Sequence, residues 1–368
     1  MAELLKNIYN DSFFSTYTEA LHKSVSGFDR QSFMYNFHTP HWDSLELKQR
    51  MAFLASITDD ILPSRFEDKI NVILEIISAL TSSGVRDQNM EYIFLADIIT
   101  KHGLNDFSNS VFAIEKITAF TSFEFAGRQF FIRYPTEMMD QMLIWASHPN
   151  ANVRRYASEG CRPRLPWGLQ LKQFVADPSP IIPILEKLKN DPSEYVRKSV
   201  ANNLNDISKD HPHIVINFIR KWHGTNDKTD KMLRQAARTL LKTGNSEALS
   251  LFGNHQHIRF ELSEFSINKN TLQIGDSLSF SFALCNTDNH TAAFRVEYII
   301  RFMKAIGQHS GKIFKIADKF MDAGQKVTFS RQHRFADLTT RKHYPGLHRI
   351  TIVINGKEAH SIDFNIPL

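Results

Sequence analysis

A phrase that occurs twice at a fixed distance constrains this chain more than any other feature. HPNANVRRYASEG begins at His148 and DPSEYVRKSVANN at Asp191. Pro149 and Pro192, Val153 and Val196, and Arg154 and Arg197 each stand 43 positions apart. A period of this size is that of HEAT and armadillo solenoids, where each unit is a helix pair that buries its apolar face only against its neighbours. The prolines are expected to open the second helix of each unit, where a missing N–H is no loss. An Arg-Arg or Arg-Lys pair then projects from the first turns.

Charge separates along the chain in step with the repeats. Residues 1–152 hold 12 Lys+Arg against 19 Asp+Glu, and residues 153–250 hold 17 against 10. Residues 255–368 hold 15 against 10. A basic region beginning where the repeats begin is the footprint of a phosphate-binding face, although a solvated basic helix face has the same composition. With 368 residues, two domains are expected. The start, MAELLKNIYNDSFF, has no basic stretch followed by an apolar core, so no signal peptide is expected, and no run is apolar for the length of a membrane span. Cys161 and Cys285 are remote from each other, which argues against a disulfide framework or a cysteine metal site and for a reducing, cytoplasmic setting.

Between and after the two phrases lie residues with chemistry. Arg162-Pro163-Arg164-Leu165-Pro166-Trp167 cannot continue a helix, so two guanidinium groups and one indole fall on a loop. Arginine forks suit phosphates, and an indole face suits a base, a sugar or a cation. Spacing alone equally allows Trp167 as a core anchor with Arg162 and Arg164 in structural ion pairs. Asn202, Asn203, Asn205 and Asp206 crowd one helix in which they are poor formers, the kind of local cost that functional sites carry. Hydrogen bonding between neighbouring helices is the alternative. Glu124 sits within FEFAGRQFF, which reads as an apolar helix. The early helices carry no defensible catalytic motif. His38 and His41 lack a third ligand, and Phe13, Phe14, Phe33, Tyr35, Phe37 and Trp42 read as core.

Three segments, RRYASEGCRPRLPW (154–167), DPSEYVRKSVANNLNDISKDHP (191–212) and TSFEFAGRQFF (121–131), resemble the DNA alkylation repair glycosylases of the AlkC/AlkD type, the AlkC branch in particular. The resemblance spans about residues 1–250. It implies hydrolysis of the N-glycosidic bond of cationic alkylated bases such as 3-methyladenine and 3-methylcytosine in duplex DNA, by a monofunctional enzyme without cofactor or metal. It implies catalytic roles for Glu124, Glu159, Trp167 and Asp206. Arg154, Arg155, Arg162, Arg164, Arg197 and Lys198 would hold DNA phosphates, with Asn202 and Asn203 also at the DNA. No lysine is expected within the acidic and aromatic cluster. Alkylated double-stranded DNA is the implied partner of a monomer that does not engage membranes. A non-catalytic HEAT-type scaffold or a plain nucleic-acid-binding protein remains the alternative.

Beyond Gly253 the pattern changes to period two. Leu278, Phe280, Phe282 and Leu284 alternate with small or polar residues, and Asn355-Gly356 between two apolar runs marks a hairpin. About seven strands in this span fit an immunoglobulin-like β-sandwich without the Cys…Trp…Cys hallmark of antibody domains. Some AlkC-type proteins carry such a domain. Lys304, Lys312, Lys315 and Lys319 form a basic segment there. The expected division is a HEAT-like α-helical repeat domain over 1–253 and an immunoglobulin-like domain over 254–368.

Overall fold

The computed structural model describes residues 4–255, 257–337 and 342–367. Met1–Glu3, part of the stretch read for a leader, lie outside them. The chain forms two compact units, Met1–Asp210 and His211–Leu368. The helix-to-strand change expected at 253/254 therefore falls inside the second unit.

The first unit is all helical, with thirteen α-helices among the described residues. Its largest early helix, Phe66–Ser82, buries Ile70, Ile73, Ile76, Ile77 and Leu80, the three- and four-residue spacing of one helix face. Phe13, Phe14, Phe33, Phe37 and Trp42 form a buried aromatic core, with the Phe14 and Phe37 rings 4.7 Å apart and Phe37 edge-on to Trp42 at 5.0 Å. Tyr35 departs from that expectation and is 76% exposed. Thr39-Pro40-His41 is the start of a short helix, Pro40–Ser44, because the Thr39 hydroxyl caps the Trp42 N–H. The next helix, Leu47–Asp60, starts from a Glu46–Gln49 capping box.

The two copies of the repeated phrase become the helices Ala151–Glu159 and Glu194–Ile207, which pack together. Their prolines sit one residue before the caps Asn150 and Ser193, outside the first turn where they were expected. FEFAGRQFF is also not one helix. Residues 124–127 are a turn and the helix begins at Arg128. Ser122 accepts the Glu124 N–H, and Gly127 lies so close to Tyr156 that an added Cβ would fall 2.0 Å from its hydroxyl oxygen.

The second unit starts with four helices, Pro212–Trp222, Asp227–Ala236, Arg238–Lys242 and Ser246–Leu251. Seven strands follow: β1 (Phe260–Ile267), β2 (Ser277–Asn286), β3 (Ala292–Met303), β4 (His309–Met321), β5 (Lys326–Arg334), β6 (Gly346–Ile354) and β7 (Lys357–Ile366). They make two antiparallel sheets, ordered β1-β2-β5 and β4-β3-β6-β7. Their facing residues, among them Leu278, Phe280, Phe282, Phe294, Ile300, Ile350 and Phe364, form one core. Asn355 and Gly356, at φ 46° and 77°, close the β6–β7 hairpin as a two-residue turn with both central residues left-handed. Arg234 pairs with Asp318 of β4 at 2.6 Å, and its guanidinium rests over the Phe252 ring.

Candidate active site

The repeated arginines do the same work in both copies. Arg154 Nη1 donates to the carbonyls of His148 and Pro149 at 2.9 and 2.8 Å. Arg197 Nη1 donates to those of Asp191 and Pro192 at 2.5 and 3.0 Å. Each arginine folds back over the turn that precedes its own helix. Arg154 also makes a bidentate pair with Asp191, at 2.6 and 3.0 Å, which ties the first copy to the second. The Arg154 fork is thus occupied by two carbonyls and a carboxylate, whereas Arg197 bonds its own turn through Nη1 alone.

Five of the remaining expected residues assemble into one alternating chain of charge. Arg155 Nη1 lies 2.5 Å from Glu124 Oε2, and its Nη2 lies 3.4 Å from Glu159 Oε1. Arg162 Nη1 bonds the same Glu159 oxygen at 2.6 Å, and its Nε bonds Asp206 Oδ2 at 2.8 Å. The Ser199 hydroxyl donates to Glu159 Oε2 at 2.6 Å. Lys209 Nζ closes the series on Asp206 Oδ1 at 2.9 Å. This places a lysine in the cluster, contrary to expectation. Glu159, Arg162 and Asp206 are buried. Burial alone would raise the Glu159 carboxyl, but the Arg155 and Arg162 guanidinium groups and the Ser199 hydroxyl outweigh it and hold it below the usual carboxylate range. Glu159 is thus an ionised, buried carboxylate at neutral pH.

Glu124 is the member with capacity to spare. Its Oε2 takes Arg155 and the Ser122 hydroxyl, the latter at 2.9 Å, while no hydrogen bond reaches its Oε1 among the described residues. The Arg155 guanidinium also stacks over the Tyr195 ring at 5.0 Å, and the Tyr195 hydroxyl donates to Gln88 at 2.7 Å.

Trp167 stands on the loop as expected and is 61% exposed, so it is no core anchor. The Gly168 N–H bonds the Leu165 carbonyl at 3.1 Å, and Trp167 has φ 63°. With Pro166 in second place and a left-handed third residue, this is the pattern of a type II turn, whose third position favours glycine. An indole there costs on the order of 1–3 kcal/mol in backbone strain. Arg128, fully buried, braces the loop from below by donating to the carbonyls of Gly160 and Arg162, at 3.1 and 2.7 Å, and to that of Leu169. Burial pulls its guanidinium down to about 10. Trp167 and Phe125, the neighbour of Glu124, line one cavity of about 370 Å³ together with Lys48, Asp97 and Gln129.

The other expected residues lie apart from this. Arg164 is half-exposed and bidentate to Asp210 at 2.9 and 2.8 Å, and exposed Lys198 pairs with Glu194 at 3.2 Å. Asn203 is fully buried, and its amide donates to the Ser158 carbonyl at 2.7 Å. Its expected place at the DNA is corrected to a bond between the two repeat helices. Asn202 is half-buried. Arg155 and Arg162 likewise face carboxylates within the fold and not an open groove. Sequence reasoning missed Ser122, Ser199, Lys209 and Arg128. Only Arg128, a charge in the apolar run FAGRQFF, carried a visible signal. Among the described residues, no group of three metal-binding side chains occurs and no helix is long and apolar enough to cross a membrane.

The family model described as DNA alkylation repair enzyme matches residues 55–240, and that for the C-terminal Ig-like domain of uncharacterised protein YhaZ matches residues 261–367. The chain is 38% identical over 362 residues to the uncharacterized protein YhaZ of Bacillus subtilis (strain 168), covering 98% of this chain and 99% of that one. Its fold is similar to that of the Pseudomonas fluorescens alkylpurine DNA glycosylase AlkC bound to DNA containing an abasic site analog. The TM-score is 0.93 at 32% identity, over 100% of both chains.

Proposed function

The chain belongs to the DNA alkylation repair enzyme family, and on that footing we propose that it is a monofunctional DNA glycosylase that excises cationic alkylated bases from duplex DNA. The observation that carries the reading is the Glu124–Arg155–Glu159–Arg162–Asp206 chain beside an exposed, strained Trp167. A scaffold has no need of a buried carboxylate held ionised between two guanidinium groups or of an indole in a glycine position. The similarity to an alkylpurine DNA glycosylase supports the same reading.

The chemistry follows from charge. A base methylated on a ring nitrogen, as in 3-methyladenine or 3-methylcytosine, carries a positive charge and leaves without a general acid. The barrier lies in the oxocarbenium ion developing on the deoxyribose and in placing a water. Glu124, with one oxygen uncommitted, is the carboxylate proposed to receive that water or face the sugar. Glu159 and Asp206, ion-paired through Arg162, hold Arg155 against Glu124 and so fix the position of that carboxylate, and preorganised charge of this kind lowers barriers by several kcal/mol. Trp167 offers its face to the cationic base, worth about 0.5–2 kcal/mol. Of the cations expected at phosphates, Arg164, Arg197 and Lys198 keep that role, because none of the three is buried. Arg155 and Arg162 shape the site from within, and Arg154 ties the two repeat copies together. Cytoplasmic residence and a monomer complete the reading.

Chromatography of the bases released from methylated duplex DNA tests it, with 3-methyladenine and 3-methylcytosine expected as free bases. Release of nothing above the spontaneous rate would overturn it in favour of a binding protein. Because Lys209 adjoins Asp206, borohydride trapping decides the monofunctional assignment: no covalent protein–DNA adduct is expected.

A further inference from the structure

Trp167 holds a backbone conformation that indole-bearing residues rarely adopt, and something outside its own turn must keep it there. Arg128 binds the carbonyls of Gly160, Arg162 and Leu169, on either side of Trp167 in sequence. The Trp167 carbonyl itself is taken by the Lys48 ammonium, from the helix Leu47–Asp60 and 119 positions away in sequence. The same ammonium lies 5.1 Å from the centre of the Phe125 ring, directly after Glu124. Lys48 is exposed, pairs with no carboxylate through a hydrogen bond among the described residues, and lines the cavity that Trp167 and Phe125 share. One side chain therefore touches both the loop that presents the aromatic face and the turn that presents the uncommitted carboxylate.

We propose that Lys48 is a positioning residue of the excision site, holding the Trp167 turn in its left-handed conformation and in register with the Glu124 turn through a carbonyl bond on one side and a cation–π contact on the other. The inference rests on the glycosylase reading but adds a residue outside every motif that carries that reading. Without the ammonium the turn can relax to an unstrained conformation, which swings the indole away from where a base would lie. A displacement of about 1 Å at a reacting centre is enough to cost roughly a hundredfold in rate. Because Lys48 is exposed, its loss should not unfold the chain.

The test uses the full-length protein with Lys48→Met, which keeps an unbranched side chain and removes the charge, and Lys48→Arg, which keeps a donor. Two quantities are read. One is the single-turnover excision rate at saturating protein together with affinity for duplex DNA bearing an abasic-site analogue across a salt series. The other is the time-resolved fluorescence anisotropy of Trp167, isolated by subtracting Trp167→Phe, in the free protein. Expected for Lys48→Met are a rate lower by at least tenfold, affinity within twofold at every salt concentration, and a larger fast-decaying fraction for Trp167. Lys48→Arg should restore rate and anisotropy to within about threefold of wild type. An unchanged rate and anisotropy would overturn the inference. So would a rate loss matched by weaker binding with a shallower salt dependence, since Lys48 would then be a phosphate contact. If the unaltered protein releases no base, the glycosylase reading fails by itself, and the anisotropy still decides whether Lys48 holds Trp167.

Discussion

Glu124 and Glu159 are both carboxylates touching Arg155, yet replacing them should have different consequences. Glu159→Gln leaves Arg155 and Arg162 buried with one anion fewer, a loss that costs about 3–5 kcal/mol when a buried pair is broken. Thermal unfolding of that variant should move down sharply, and its excision rate with it. Glu124→Gln sits at the more accessible end, so it should lower the excision rate by about a hundredfold or more with melting and DNA affinity little changed. Arginines divide in the same way. Arg164→Gln should weaken DNA binding and reduce the slope of affinity against salt. Arg154→Gln, which loses Asp191 and two carbonyls, should lower stability and leave that slope alone. Asp97, in the cavity beside Trp167, offers a third residue-scale test. Burial pushes its carboxyl up to about 6 from the ordinary 3.8, with the nearby Lys48 opposing. The folded protein then keeps a proton that the unfolded chain has lost between those values, so this group's contribution to stability falls as pH rises from about 4 to 6 and is level above. The lost stability is on the order of 1–3 kcal/mol. Asp97→Asn should remove that slope, read as the difference in urea midpoint between variant and wild type from pH 4 to 8. A constant difference across that range would show that Asp97 does not titrate there.

Elements show what a sequence discloses and what it withholds. The 43-residue period disclosed the two packed helices, because repeats must reuse the contacts that join neighbours, and alternation disclosed β2, because one of its faces is more deeply buried than the other. The Asn-Gly pair disclosed the hairpin for an equally local reason. What stayed hidden was partner choice. The spacing of Arg154 and Arg197 says that a guanidinium recurs, not that it turns back to its own helix start, and only three dimensions bring Ser199 to Glu159 across 40 positions. The FEFAGRQFF break was hidden too, since it depends on Tyr156 from a later helix. The hairpin itself carries a prediction. Asn355 adopts φ 46°, its side-chain oxygen accepts the Arg295 N–H at 2.7 Å, and its amide donates to the Ala293 and His255 carbonyls at 3.1 and 2.9 Å. Asn355→Ala should lose about 2–4 kcal/mol from these bonds and the strained φ. Calorimetry should show the loss in the unfolding of the second unit, with the first unit's transition unmoved.

At the scale of the whole molecule, compactness divides the chain at Asp210, which is not where helix gives way to strand, and the two units differ in net charge. Residues 1–210 hold 22 Lys+Arg against 26 Asp+Glu, a net of −4, and residues 211–368 hold 22 against 13, a net of +9. The unit that contains the carboxylate chain and Trp167 is thus acidic overall, and the long-range attraction to DNA resides in the other. The helices of residues 212–251 belong with the sandwich by contact as well. Arg234 pairs with Asp318, Asn355 bonds the His255 carbonyl, and Gly244 lies close enough to Gly356 that an added Cβ would be 3.2 Å from its carbonyl oxygen. A cut after Asn254 should therefore strand four helices without the surface they pack on and give a protein of lowered melting temperature that aggregates. A cut after Asp210 removes a whole compact unit and should leave a folded, monomeric remainder. That remainder should bind lesion DNA more weakly than the full chain by a factor that shrinks as salt rises, because the missing term is screened Coulomb attraction. Its single-turnover excision rate at saturating protein should fall much less than its affinity, since every proposed catalytic group is still present. Equal affinity of the two proteins across a salt series would refute the electrostatic role of the second unit. A rate that collapses while affinity holds would instead place a catalytic contribution beyond residue 210.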